Sequence, residues 1–126
     1  MIPDATEIEQ AQQELVTLVG AQRAAFDQDP PDVREANRRI KAINILVAGW
    51  AEQGGDKVVQ AILLPLLNDP SPDIRCAAAA YVLRHGAADQ ALPVLQAIAE
   101  DMKLGDASSQ ADSVLMVWED EQRNAQ

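Results

Sequence analysis

Cys76 and His85 are the only cysteine and the only histidine in this sequence, and they are the first candidates for chemistry. They lie nine positions apart on one predicted helix, which separates them by about 13 Å along the helix axis. A thiol and an imidazole at that separation form neither a nucleophile pair nor a shared metal site. We therefore expect Cys76 to be a small core residue and His85 to lie at a helix C-terminus, where it is favourable to the dipole.

Other patterns that carry chemistry are missing from the sequence, which has no glycine-rich phosphate loop, no serine nucleophile elbow and no Glu-x-x-His pair. Carboxylates cluster at Glu100-Asp101 and at Glu119-Asp120-Glu121 and could bind a cation. They lack the ligand spacing of a calcium loop, which favours solvated helix ends. We predict no catalytic residue, no cofactor and no metal site, and a protein that is not an enzyme.

The composition favours close-packed helices and a strongly acidic surface. Of 126 residues, 48% are hydrophobic but only 3% are aromatic, so Ala, Leu, Val and Ile must form the core. The 20 acidic and 10 basic residues give a formal net charge of −10. This charge repels nucleic acid and anionic lipid, so we expect no direct contact with either. It favours a basic protein partner, although acidity also serves solubility.

The cytoplasm is the expected location. The lone Cys76 excludes an intrachain disulfide, which suits a reducing compartment. Met1-Ile2-Pro3-Asp4 lacks the basic and apolar regions of a signal peptide. No apolar run approaches the ~20 residues that a membrane-spanning helix needs.

Apolar residues recur at spacings of three and four along the chain, and no segment alternates with a period of two. We predict a single domain over residues 1–126 with about six helices. The domain has three predicted parts: a long helical hairpin over residues 6–55, a core over residues 56–101 and a terminal helix over residues 109–122. The core is predicted to contain three helices, at about 57–67, 72–85 and 89–101. Residues 102–108 are predicted to form a loop.

Local signals mark several helix ends. Asp4 or Thr6 is placed to cap the first helix, and Ser71 to cap the fourth with Pro72 in its first turn. Pro65 predicts a kink or an early end of the third helix. Ile45 and its neighbour Leu46 lie off the apolar stripe of the second helix, which predicts that this helix is buried on more than one side.

Short patterns recur within the chain. Pro31–Ala36 recurs as Pro72–Ala77 at an offset of 41 residues, and Leu64–Leu67 recurs as Leu92–Leu95 at an offset of 28. The first offset falls within the period of about 40–47 residues that is typical of HEAT and armadillo repeats, and the second does not. Any repeat array is therefore irregular.

The stretch Leu63–Glu100 resembles a HEAT repeat. It has an apolar Leu-Leu-Pro-Leu-Leu helix end, a turn from Asn68 to Asp73 and an alanine-rich helix opened by Ile74 and Arg75. We expect Ile74 to pack into the core and Arg75 to reach back to the carboxylates of the turn.

The whole chain is similar to a small bacterial HEAT-like family of unknown function, whose terminal helix carries a Leu-Glu-Asp-like end, matched here by Trp118-Glu119-Asp120. Trp118 departs from the aliphatic residue usual in that family. Members are similar to immunity proteins that neutralise toxins used between competing bacteria. The resemblance implies an all-α, right-handed stack of about six helices in three antiparallel pairs. It carries over no catalytic residue.

Charge is unevenly distributed along the chain. Residues 1–32 carry seven acids and one base, residues 33–88 five acids and seven bases, and residues 89–126 eight acids and two bases. Four of the bases lie together on the second helix, off its apolar stripe: Arg34, Arg38, Arg39 and Lys41. We expect them to pair with acids of neighbouring helices. An anion-binding patch and a partner contact are the alternatives.

The terminal helix carries the predicted binding site. Four of its residues share a face that points away from Ala111, Leu115 and Trp118: Asp112, Met116, Glu119 and Asp120. A methionine among carboxylates suits a protein interface, whereas the ordinary alternative is a solvated helix face. The acidic outer face of the first helix, with Glu7 and Glu14, is a competing site. These features predict a protein-binding module, specifically an immunity protein for a basic bacterial toxin or effector domain; the alternative is a scaffold or adaptor.

Overall fold

A computed structural model describes residues 3–125 of the chain. Every regular element in that range is helical, which confirms the all-α prediction. The α-helices are α1 (Ala5–Phe26), α2 (Val33–Gly54), α3 (Asp56–Leu63), α4 (Pro72–Val82), α5 (Ala88–Glu100) and α6 (Asp106–Asn124). Short 3-10 helices cover Leu64–Asn68 and Met102–Leu104. The chain divides after Pro65 into two compact units. The prediction of one domain stays a prediction, and its residues 1, 2 and 126 lie outside the described range.

In the first unit, α1 and α2 pack along each other as a hairpin, and α3 packs on both. Asp4 caps α1 by accepting a hydrogen bond from the Glu7 backbone N–H at 2.8 Å, as predicted. Leu15 of α1 is fully buried. The Gln12 side-chain amide donates to the Ile62 carbonyl at 3.0 Å. This bond ties α1 to α3 and satisfies a carbonyl near the C-terminus of α3.

The prediction that α2 is buried on more than one side is wrong at Ile45. The Ile45 side chain is 74% exposed, and Leu46 beside it is half-buried. Within its unit α2 packs on α1 and α3, and neither helix covers Ile45. The core face of α2 is a single stripe that includes Ile43, Val47 and Trp50.

The second unit is built from α4, α5 and α6, each of which packs on the other two. Its core contains the fully buried Val82 and Leu95. The Ser108 hydroxyl donates to the Ala99 carbonyl at 2.9 Å and fixes the start of α6 against the end of α5. The helix α6 begins at Asp106, so the predicted loop over residues 102–108 is wrong in part. Its first residues form a 3-10 turn and its last three are helical.

The turn that opens α4 confirms two of the three local predictions made for its residues. Ser71 accepts a hydrogen bond from the Ile74 N–H at 3.4 Å, and the Ile74 side chain is only 5% exposed. Arg75 does reach back to the turn, but it does not bind the carboxylates there. Its Nη1 donates to the backbone carbonyls of Asp69 at 2.9 Å and Pro70 at 3.1 Å. A guanidinium thus satisfies carbonyls that the turn leaves without helical partners.

The C-terminal end of α4 differs from the predicted helix over residues 72–85. The helix ends at Val82, because the Arg84 and His85 N–H groups bond to carbonyls three residues back, those of Tyr81 and Val82. Such bonds tighten the last turn into a 3-10 geometry. Gly86 then adopts a φ of 86° and turns the chain away. The early change at Pro65 is confirmed, since a 3-10 helix follows α3 there.

Gly55, which joins α2 to α3, has φ 71° and ψ −157°, a region that only glycine adopts without strain. We expect Gly55→Ala to lower the free energy of unfolding by about 1–3 kcal/mol. Gly20 lies inside α1, and a Cβ added there would meet nothing within 4 Å. The matched change Gly20→Ala should therefore raise stability by about 0.5–1 kcal/mol. Urea unfolding followed by circular dichroism measures both. Equal stability of the two variants would contradict the strain at Gly55.

Candidate functional site

The four residues predicted from the sequence as a binding site all lie exposed on one side of α6. We define the α6 surface by five residues: Asp112, Met116, Val117, Glu119 and Asp120. Asp112, Met116 and Glu119 follow spacings of four and three, which place them on one helical face. On the opposite side of α6, Ala111 is buried while Leu115 and Trp118 are half-buried, as predicted.

Apolar side chains are exposed at the centre and edge of this surface. Met116 is 59% exposed and Val117 is 50% exposed. Sequence reasoning missed Val117, although it follows Met116 directly and lies three residues before Asp120. Met116 and Val117 are consecutive and therefore lie about 100° apart around the helix. Each is an exposed apolar side chain with carboxylates beside it, and apolar groups flanked by charges are common in protein interfaces.

Ion pairs on α6 leave two of the three predicted carboxylates free of cations. Asp120 pairs with Arg123 on its own helix. Within residues 3–125, no ion pair involves Asp112 or Glu119. Glu121, four residues after Val117 on the same side of α6, pairs with Arg84 at 2.5 Å. The unpaired charge that the surface offers to a partner therefore comes from Asp112 and Glu119.

The bases of α2 pair differently from the prediction. Arg38 and Arg39 both contact Glu35, at 3.1 Å and 2.6 Å, and Glu35 belongs to the same helix. The spacings of three and four residues explain this outcome, because such side chains are neighbours on one helix surface. The expected partners on neighbouring helices are not used by these two arginines. A single carboxylate shared by two guanidinium groups leaves this end of α2 basic.

Cys76 is a buried core residue, as predicted. Burial, with a smaller effect from the nearby Asp73 carboxylate, raises the pKa of the Cys76 thiol from 9.0 to about 11. The thiol is therefore protonated at neutral pH and is a poor nucleophile. His85 lies half-buried in the turn that follows α4. Burial also raises the pKa of Tyr81 above its ordinary value of 10.0.

Asp101, in the first of the two acidic clusters, makes a local structural contact. Asp101 accepts a hydrogen bond from the Lys103 N–H at 3.2 Å and caps the 3-10 turn that follows α5. Across residues 3–125, no group of three or more His, Cys, Asp or Glu side chains has an arrangement that could hold a metal ion. No helix of this range combines the length and the hydropathy that a membrane span requires.

A second candidate surface lies in the first unit. It is a groove of about 510 Å³ formed by α1, α2 and α3. We call it the hairpin groove. Glu7 and Glu14, the competing site of the sequence prediction, both line it. The structure thus brings these two carboxylates together with the exposed Ile45, an association that helical periodicity within α1 does not reveal.

Comparisons with protein-family models, with curated proteins and with solved structures found no match to this chain. The HEAT-like resemblance consequently rests on the residues quoted for it, from Leu63 to Glu100 and at Trp118-Glu119-Asp120.

Proposed function

We propose that this protein is a protein-binding module that takes a basic protein partner on the α6 surface. The observation that carries the proposal is the exposure of Met116 and Val117 beside Asp112 and Glu119, two carboxylates that form no ion pair with any residue from 3 to 125. A partner that packs on this side of α6 would remove both apolar side chains from water, as the apolar part of a protein interface does.

The two parts of the surface act on different steps of binding. Carboxylates that keep no cation partner attract a basic protein over several ångströms and raise the association rate. The apolar side chains gain only when water leaves the interface, so they act on the lifetime of the complex. Met116 suits this role because its unbranched, polarisable side chain adapts to the shape of the partner.

A more specific form of the proposal is an immunity protein of a bacterial cytoplasm that neutralises a basic toxin or effector domain. The net charge of −10 and the similarity to bacterial HEAT-like proteins support this form. A toxin-like reading frame immediately upstream of the gene would favour it, and a partner without toxicity would favour a scaffold or adaptor instead.

The partner is first isolated by pull-down with the purified chain and identified by mass spectrometry, and binding kinetics are then measured by surface plasmon resonance. We expect Asp112→Lys combined with Glu119→Lys to slow association by about tenfold at low salt and to weaken its salt dependence. Asp120 is left intact because reversing it would place a second cation beside Arg123. Met116→Ala should leave association unchanged and speed dissociation by about tenfold.

The matched control combines Glu52→Lys with Glu100→Lys, which changes the net charge of the chain equally. Both residues are exposed near the C-terminal ends of α2 and α5, where a cation is favourable to the helix dipole. If the control slows association as much as the α6 reversal does, only net charge matters and the α6 surface is not the interface. Association that is indifferent to both pairs and to salt would refute a basic partner.

A further inference from the structure

We infer that the hairpin groove of the first unit is a docking site for a basic amphipathic helix of a partner protein. The inference goes beyond the proposed function, because it concerns a separate surface in the other unit and holds whether or not α6 binds a partner.

The floor of the groove is apolar and its rim is incompletely filled. Trp50, Val58 and Ile62 form the floor, and each is buried. Ile45 lies at the edge of the groove, and its side chain is 74% exposed. Gly49 lies one helical turn from Ile45, and a Cβ added there would meet nothing within 4 Å. Apolar side chains of an occupant therefore find an open space above an apolar floor.

Charge identifies the kind of occupant. The α1 side of the groove presents the exposed carboxylates Glu7 and Glu14. Residues 3–14 carry four acids and no base, whereas the arginines of α2 lie at positions 34–39, before the stretch of α2 that lines the groove. Such an apolar floor with an acidic wall is complementary to a surface that combines apolar and cationic side chains. Anionic lipid and nucleic acid are repelled by the same carboxylates.

The spacing of the carboxylates favours a helix as the occupant. Glu7 and Glu14 are seven residues apart, so they lie on nearly the same face of α1 with about 10.5 Å between their positions along the axis. A second helix lying along α1 repeats the same distance between its own residues i and i+7. Cations at those two positions meet Glu7 and Glu14, and apolar residues on the adjoining face of the same helix, at i+1, i+4 and i+8, face the floor. This is the helix-in-groove mode of recognition.

The test uses a fluorescein-labelled amphipathic peptide of leucine and lysine with a helical repeat, and its leucine–glutamate counterpart as the control probe. Binding to the full chain is measured by fluorescence anisotropy. We expect the lysine peptide to bind and the glutamate peptide not to bind. Gly49→Leu fills the groove and should weaken binding of the lysine peptide by about tenfold or more. The matched change Gly20→Leu, on α1 outside the groove, should leave the affinity unchanged.

Removing charge at two places shows whether the peptide binds at the groove or is attracted only by the net charge of the chain. Glu7→Gln combined with Glu14→Gln should weaken binding by about fivefold at low salt and reduce its salt dependence. Asp112→Asn combined with Glu119→Gln removes the same charge from α6 and should have no effect on peptide binding. Circular dichroism verifies the fold of each variant. If Gly49→Leu fails to fold, Ile45→Ser tests the same apolar contact at an exposed position.

Three outcomes would overturn the inference. Equal affinity of the Gly49→Leu and Gly20→Leu variants would show that the peptide binds elsewhere. Loss of peptide binding in the α6 variant alone would move the site to α6. A dimer of the wild-type chain, seen by sedimentation and broken by Gly49→Leu, would mean that a second copy occupies the groove.

Discussion

Ile74→Asp is expected to lower the free energy of unfolding by about 4 kcal/mol. The Ile74 side chain is 5% exposed at the start of α4, so the change removes a buried aliphatic group and places a carboxylate in an apolar site. A negative charge in the first turn of a helix gains about 0.3–1 kcal/mol from the dipole, which offsets only a small part of this loss. The Ile74 N–H keeps its bond to Ser71.

Urea denaturation followed by circular dichroism measures the effect, with Ile45→Asp as the matched control. That substitution makes the same chemical change at a side chain that is 74% exposed, and it should cost less than about 1 kcal/mol. Ile74→Asp protein with the stability of the wild type would contradict the packing of α4. Similar losses in both variants would show that helix propensity, and not burial, sets the cost.

Features of the fold that depend on short stretches of sequence could be predicted. Asp4 and Ser71 each bond to a backbone N–H three residues later, so their roles as caps follow from local sequence. The end of α3 at Leu63, two residues before Pro65, is consistent with the missing N–H of proline. Ile45 shows the limit of this reasoning. Its exposure depends on which helices pack against α2, and the periodicity of α2 alone does not contain that information.

The candidate surfaces also combine features that follow from local sequence with features that depend on how the helices pack. The face of α6 that carries Met116 follows from helical spacing, and so does the pairing of Asp120 with Arg123, three residues later. The bond between Arg84 and Glu121 joins residues 37 positions apart, and only the packing of the second unit brings them together. The hairpin groove likewise requires three helices in place, although its carboxylates on α1 stand out in the sequence as a cluster of acids.

Cys76 is expected to react with a disulfide reagent at least about 100-fold more slowly in the folded protein than in the unfolded chain at pH 8. The reactive species is the thiolate, and burial raises the pKa of this thiol from 9.0 to about 11. The folded state consequently holds about one hundredth of the thiolate that the unfolded chain holds at that pH. Exclusion of the reagent from the core slows the reaction further. Absorbance of the released thiol, with and without urea, measures both rates.

The same shift makes stability depend on pH in the alkaline range. The folded protein keeps the Cys76 proton up to a pKa of about 11, whereas the unfolded chain loses it near 9.0. The stabilisation is therefore fully present below pH 9 and is lost as the pH rises through 11, by about 2.7 kcal/mol at most. Burial also raises the pKa of Tyr81 above its ordinary value of 10.0. Ionisation of Tyr81 in the unfolded chain therefore lowers the stability further as the pH rises above 10.

Cys76→Ala separates the two groups. We expect this variant to lose less stability than the wild type between pH 9 and pH 10, where the thiol of the unfolded chain ionises before Tyr81 does. Above pH 10 the Tyr81 contribution remains in both proteins. Identical pH profiles, or rapid labelling of Cys76 in the folded protein at pH 8, would show an accessible and ionisable thiol. Cys76 would then have to be reconsidered as a nucleophile, and the case for a protein that works only by binding would weaken.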